Sequence, residues 1–234
     1  MPCDPQDPGV PSRRYQDYVI QGGRLVGDFE GMYRNASEVP WHQDKTASAL
    51  FSDFDLTIVR HFCDTAQWRR VLDVGCGLGY LTARLKAELP DAELDGIDVS
   101  ETAILRAQQL HTGIGFRVAD LRRPDFQPVH SYDLLFVKDL LWYILPELEQ
   151  VIANLRRLLR PAGWFYMSQA VPGVPDFYGN DVFASPDAIL DYFGKVFQAH
   201  YASSTHERTA DRVVGVYEID NYARFLGRMP PPTK

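Results

Sequence analysis

At 234 residues, with 45% hydrophobic and 24% charged residues, the chain has the make-up of one α/β domain with ample core. A net charge of −7 argues against a nucleic-acid backbone as main partner, because phosphate binding needs a basic face. No apolar run is long enough to span a bilayer and no signal-peptide pattern opens the chain, so a cytoplasmic protein without membrane contact is expected. The three cysteines, Cys3, Cys63 and Cys76, are scattered and odd in number. They fit reduced thiols, with neither a disulfide framework nor metal-ligand spacing.

In chain order, Met1 to Ser12 holds four prolines among polar residues and is read as a disordered tail. Arg13 to Trp41 is irregular but aromatic, with Tyr15, Tyr18, Phe29, Tyr33 and Trp41. Aromatics outside a main sheet need burial, and a cap over a crevice would supply it while excluding water. Leu50 to Asp64 has helical spacing, which completes a cap and lead-in helix over residues 13–64.

Arg70 to Val74 reads as a strand buried on both faces. Three glycines at alternate positions follow it, and then Leu81, Leu85 and Leu89 mark one face of a helix. The glycines permit a tight turn and close approach of a ligand. The pattern is Asp73-x-Gly75-x-Gly77-x-Gly79, with Cys76 inside the turn as a small filler. No Lys-Ser or Lys-Thr follows, which excludes a P-loop. A carboxylate at Asp73 would repel a pyrophosphate but suits a cationic ammonium group. Glu93 to Val99 reads as the second strand, ending at Asp98, about twenty residues past the glycines and placed to bond ribose hydroxyls. Ser100 is the better cap for the helix that runs to His111.

Phe116 to Ala119 alternates as a third strand and Asp133 to Val137 reads as a fourth, with Lys138-Asp139 at its tip. A short apolar turn with Trp142 and Tyr143 precedes a long helix from Pro146 to Arg160, whose terminal arginines suit the helix dipole. Trp164 to Ser168 reads as strand five. Ala170 to Ala184 is a loop carrying Phe177 and Tyr178, and Ser185-Pro186 opens another helix. Val196 to Ser203 and Val213 to Ile219 read as two last strands joined by a polar turn, a link that allows only an antiparallel pair.

The acid-x-Gly-x-Gly-x-Gly motif, with the Leu-Leu-Arg-Pro-Ala-Gly run before strand five, resembles the class I S-adenosylmethionine (SAM) dependent methyltransferases over roughly Trp68 to Ile219. The resemblance implies a Rossmann-like, doubly wound α/β fold with a seven-stranded, mostly parallel sheet in the order 3-2-1-4-5-7-6 and an antiparallel C-terminal hairpin. The methyltransferase domain is then 65–226, with 227–234 a C-terminal tail. It implies SAM as cofactor and S-adenosylhomocysteine as product, with Asp120 accepting a bond from the adenine amino group and the Leu121 N–H meeting a ring nitrogen. The expected cofactor wall is Asp73, Gly75, Cys76, Gly77, Gly79, Asp98, Val99, Asp120, Leu121 and Lys138. The segments Phe29-Glu30-Gly31-Met32-Tyr33, Pro40-Trp41, Lys138 to Tyr143 and Phe177-Tyr178-Gly179 are similar to a narrower group. Its members are small-molecule enzymes like the nodulation-factor N-methyltransferases and those of sugar and secondary-metabolite pathways. Where such relatives often have Ser-Glu, this chain has Lys138-Asp139.

The expected reaction is methyl transfer to an O or N atom of a small molecule by in-line displacement, driven mainly by positioning. His42 and Asp139 are the candidate bases. Lys138 pairs with Asp139, holds an anionic substrate or is a solvated strand-end charge. Tyr33, Trp41, Trp142, Tyr143 and Tyr178 are candidates for the acceptor pocket. The rivals are a nicotinamide oxidoreductase on the same fold and a non-catalytic SAM-binding protein. The oligomeric state stays open between monomer and homodimer.

Overall fold

The computed structural model describes residues 10–47, 50–172, 177–206 and 221–230. Strand β1 is Arg70–Val74. Its side chains alternate between two separate cores, with Val71 in one and Leu72 and Val74 in the other. A strand clad on both faces must be apolar on both, which is why this run lacks the alternation of a half-exposed strand. Around it lie β2 (Glu93–Asp98), β3 (Gly115–Val118), β4 (Tyr132–Lys138), β5 (Leu159–Val171), β6 (Gln198–His206) and β7 (Asn221–Arg228). The spatial order is β3-β2-β1-β4-β5-β7-β6, with β1 to β5 parallel and β7 antiparallel to both its neighbours. This is the expected seven-stranded topology. The order reverses between β1 and β4, and a crevice opens there beyond the strand tips.

Helices α3 (Leu50–Phe62) and α4 (Tyr80–Glu88) cover one face, burying Leu56, Val59 and Leu85 against Val71, Leu94 and Leu134. On the other face α7 (Leu148–Leu158) and α8 (Pro186–Val196) bury Val151, Leu155, Ile189 and Phe193 against Leu72, Leu135 and Phe165. Each such side chain contributes about 1.5–3 kcal/mol by leaving water. Helix α5 (Glu101–Leu110) is capped by Ser100, whose Oγ accepts from the Ala103 N–H at 3.1 Å. Ser185 caps α8 in the same way, with Pro186 at the first helical position. The short helix α6 (Leu141–Ile144) follows β4 and carries Trp142 and Tyr143.

The N-terminal segment lies over the crevice. Helix α1 (Phe29–Asn35) brings Met32 and Tyr33 into a cluster with Leu78 and Ala103 of the sheet domain, and α2 (Gln43–Thr46) begins at Gln43, whose Oε1 accepts from the Leu78 N–H. Glu30 fastens the segment. Its carboxylate accepts from Ser100 Oγ (2.7 Å), Thr102 Oγ1 (2.6 Å) and the Thr102 N–H (3.1 Å), so a cap residue satisfies the start of α5. Burial raises the Glu30 pKa, but these bonds and that from Arg34 outweigh it and hold it at about 2.

Some boundaries differ from the sequence expectation. The strand expected at Val213–Ile219 lies outside the described residues, and the partner of β6 is Asn221–Arg228. Gly227 and Arg228, expected in the tail, therefore pair in the sheet. At the other end Ser12 is held, its Oγ donating to Asp17 (2.6 Å) and its carbonyl accepting from the Tyr18 hydroxyl (2.7 Å), while residues 1–9 of the expected tail lie outside the described residues. Arg160 enters β5 rather than ending the long helix, and it pairs with Asp133 at 2.7 Å.

Candidate functional site

The turn after β1 is shaped by its glycines. Gly75, Gly77 and Gly79 all have positive φ (75°, 52°, 78°), a region costly for other residues. A Cβ on Gly77 would collide with the Tyr33 hydroxyl and the Gln43 amide of the cap, and one on Gly79 would sit 2.6 Å from the Phe116 ring. The backbone N–H groups of the turn are engaged. Gly75 and Cys76 donate to the Ile97 carbonyl (2.8 and 2.9 Å), Gly77 to Asp98 Oδ2 (2.9 Å), Leu78 to Gln43 Oε1 (3.0 Å) and Gly79 to the Cys76 carbonyl (2.9 Å). A dinucleotide turn leaves such groups for a pyrophosphate. This one spends them internally and sets two acids beside them.

Those acids are under-compensated. Asp73 is 2% exposed and takes a 2.6 Å hydrogen bond from Thr82 Oγ1. Burial pushes its pKa up to about 7; Thr82 pulls it back and the Asp98 charge adds to the rise. Burial also raises Asp98, against the bonds it accepts from the Ser100 and Gly77 N–H groups. A nearby cation would relieve both.

The turn opens into a cavity of about 650 Å³, within the range for small-molecule sites and lined mainly by apolar side chains. Asp73, Gly75, Cys76, Asp98, Val99, Asp120, Leu121, Lys138 and Asp139 line it, with Tyr33, Trp41, Trp142 and Tyr143 on the cap side and above the β4 tip. Asn154 of α7 fixes the loop after β3 by donating to the Leu121 and Arg123 carbonyls, both at 2.9 Å. Asp120 meets Arg122 through two bonds of 2.8 and 2.9 Å, and this pairing, opposed by burial, lowers its pKa.

Several expected residues stand elsewhere. His42 does not line the cavity. Trp41 and His42 are both left-handed (φ 50°), which turns the imidazole edge-on to Tyr15 at 6.5 Å and sends Gln43 to the glycine turn. Gly77 and Gly79 shape the turn behind the wall rather than forming it, and Tyr178 packs against the core while its neighbour Phe177 lines the cavity. Lys138 lines the cavity but is not a solvated charge, and it pairs with Asp139 at 3.7 Å, one of the roles expected for it. Its Nζ donates to Asp55 Oδ2 (2.7 Å) and the Tyr222 hydroxyl (2.9 Å). Burial lowers its pKa, but Asp55 and Asp139 more than offset that, so it remains charged. The sequence reading missed Tyr15, Gln43, Phe51, Arg122, Gln169 and Tyr222, all of which line the cavity. Only Tyr15 carried a signal, as one of the aromatics of the cap.

Residues 71–163 match the model of a methyltransferase domain. A stretch of 94 residues is 35% identical to a trans-aconitate 2-methyltransferase of Methylobacterium nodulans, covering 40% of this chain and 35% of that protein. The match thus spans about a third of that relative's length. The fold is similar to that of the N-methyltransferase NodS from Bradyrhizobium japonicum WM9, solved with S-adenosyl-L-homocysteine. The TM-score is 0.60 at 20% identity, over 83% of this chain and 94% of that one. A protein described in the conversion of a disulfide bond into a thioacetal group during echinomycin biosynthesis gives a TM-score of 0.62 at 18% identity, over 88% and 93%. Among the described residues no helix is long and apolar enough to cross a membrane, and no group of His, Cys, Asp or Glu is arranged to hold a metal ion.

Proposed function

We propose that this chain, whose residues 71–163 match the model of a methyltransferase domain, moves a methyl group from SAM to an O or N atom of a small molecule. The observation that carries the reading is the glycine turn. Its N–H groups are used internally, and two acids of raised pKa, Asp73 buried and Asp98 half-buried, border it within the cavity. That donor set suits an ammonium and hydroxyls and disfavours a phosphate, which also counts against a nicotinamide dinucleotide.

When bound, SAM supplies a methyl carbon on a sulfonium, already joined to a good leaving group. Asp73 lies where it would attract the amino-acid end. Each Asp98 oxygen accepts one backbone N–H and keeps a lone pair for the ribose hydroxyls. Asp120 and the Leu121 backbone remain the adenine contacts, with Arg122 holding the Asp120 carboxylate in place. Tyr15, Tyr33, Trp41 and Tyr143 of the cavity wall exclude water and offer ring faces to a cation. Tyr33 stays protonated, because burial and the Asp98 charge push its pKa well up.

The experiment is calorimetry of S-adenosylhomocysteine binding to wild type and to Gly77→Arg. The side chain added at Gly77 would enter the space of Tyr33 and Gln43, so binding should fall at least a hundredfold. Equal binding by a folded variant would remove the turn from the site.

A further inference from the structure

One end of the cavity is walled by aromatic rings and by the outer end of a buried ion cluster. Asp55 on α3 has no exposure and accepts from Lys138 Nζ (2.7 Å), Arg224 Nε (2.9 Å), the Tyr166 hydroxyl (2.8 Å) and Ser168 Oγ (3.1 Å). Lys138 also donates to the Tyr222 hydroxyl, which donates in turn to Asp139 Oδ2 at 2.7 Å. The Ala170 N–H donates to Asp139 Oδ1 at 2.8 Å.

The formal charges of Asp55, Asp139, Lys138 and Arg224 sum to zero, but they are not evenly placed. The Asp55 and Arg224 side chains are 0% exposed and Lys138 is 13% exposed, whereas Asp139 is 41% exposed and lines the cavity. Lys138 and Asp139 both line the cavity, 3.7 Å apart, and Asp139 is the member most open to it. Each Asp139 oxygen has accepted one hydrogen bond there and keeps one lone pair.

The rings complete the setting. Phe51 stacks on Tyr222 at 5.6 Å and 10°, and Trp41 lies 5.6 Å from Tyr143; all four line the cavity. The Asp139 charge is felt at both the Tyr143 and the Tyr222 hydroxyl. The Tyr222 ring is already engaged, by Phe51 stacked on it and by the Arg224 guanidinium 4.4 Å and the Lys138 ammonium 4.9 Å from its centroid, so the rings left beside Asp139 are Phe51, Trp41 and Tyr143, a setting for an organic cation. Among the described residues, the two cations of the cavity wall are already matched, Lys138 by Asp55 and Arg122 by Asp120, which disfavours an anionic acceptor.

We infer that the methyl acceptor is an organic amine, held as its ammonium by Asp139 among Phe51, Trp41 and Tyr143. This rests on the methyltransferase reading above and selects nitrogen over oxygen within it. The bound ammonium first passes one proton through Asp139 to solvent. The nitrogen lone pair then forms the C–N bond as the C–S bond breaks, its electron pair going to sulfur, and the products are a methylated ammonium and a neutral thioether.

The test is titration calorimetry on protein saturated with S-adenosylhomocysteine. The probes are 2-phenylethylamine and hexylamine against phenylacetate and hexanoate, with wild type and Asp139→Asn. Asp139 has φ 50°, where asparagine is also tolerated, so the variant should fold. At least one amine should bind tenfold or more tightly than its matched carboxylate. The variant should lose tenfold or more of that affinity while binding S-adenosylhomocysteine within twofold of wild type. Three results would each overturn the proposal: carboxylates binding as well as amines, amine affinity unchanged in the variant, or no amine binding at millimolar concentration. Failure of wild type to bind S-adenosylhomocysteine would overturn the methyltransferase reading itself, and the proposal with it.

Discussion

Replacing Asp73 by asparagine should stabilise the empty protein and weaken its cofactor binding, two effects of opposite sign from one atom change. The folded protein holds the Asp73 proton more tightly than the unfolded chain, because burial moves the pKa from 3.8 to about 7. Stability is therefore whole below pH 3.8 and falls as pH rises through 7. That interval, at about 1.36 kcal/mol per pH unit, is worth about 4 kcal/mol. By pH 5 about 1.6 kcal/mol of it is already gone, which leaves ~3 kcal/mol between pH 5 and pH 9. The substituted amide would keep the shape and an acceptor for Thr82 but carry no charge. In urea unfolding at pH 5, 7 and 9 without ligand, the gap between Asp73→Asn and wild type should widen by about that amount, or roughly 6–12 °C in Tm. Groups that do not feel the Asp73 charge titrate alike in both proteins and cancel in the difference, whereas Asp98 and Cys76 do feel it. The variant should nevertheless bind S-adenosylhomocysteine more weakly, since losing a charge-assisted bond to the ammonium costs about 1.5–3 kcal/mol, roughly 10- to 150-fold in Kd. Wild-type affinity should also fall below pH 7 as Asp73 takes up a proton, and the variant should lack that slope. Unfolding curves that stay parallel from pH 5 to 9, or equal ligand affinity, would refute the reasoning.

Glu30→Ala should cost about 1 kcal/mol, the usual worth of a helix cap, and should speed limited proteolysis within residues 13–47 severalfold; cleavage at the wild-type rate would mean that Glu30 does not hold the cap down. In wild type the Glu30 contribution is present above pH 4.5 and is lost as pH falls through about 2, so the protease-resistant cap should persist down to mildly acidic pH. Asp55→Asn leaves Lys138 and Arg224 buried with less compensation and should cost about 3–5 kcal/mol in urea unfolding. A loss under about 1 kcal/mol would show that solvent or rearrangement neutralises them.

The sheet order came with the methyltransferase resemblance, whereas the two acids of the turn were readable because they depend on local pattern. β1 announces burial on both faces through Val71, Leu72 and Val74, and Asp73 and Asp98 follow from their places beside and at strand tips. The last strand was not readable. Asn221–Arg228 carries Arg224 in its middle, and an arginine argues against a buried strand until its partner is known. That partner is Asp55, 169 residues earlier, on a helix whose apolar spacing gave no hint of a buried acid. The choice of His42 failed for a different reason. Imidazole has a suitable pKa, but two successive left-handed residues, neither of them glycine, decide where the side chains of this turn point.

The same long-range pairings tie the cap to the chemistry. Gln43 holds the Leu78 N–H and the Tyr33 hydroxyl, Gly77 leaves room for both, and Glu30 covers the start of the helix that follows Asp98. A second glycine motif of identical spacing would lack these partners unless a cap of the same kind lay over it. The acceptor end is fixed likewise. Asp139 can face the cavity as a charge because Tyr222 and Lys138 hold it from behind, and Lys138 can stay buried because Asp55 and Asp139 flank it. Exchanging Lys138 and Asp139 for the Ser-Glu often found at this place removes the ammonium that links Asp55 to the cavity wall. Lys138 is therefore better understood as part of a charge cluster completed by α3 and β7, with Asp139 as the member of that cluster that meets the acceptor.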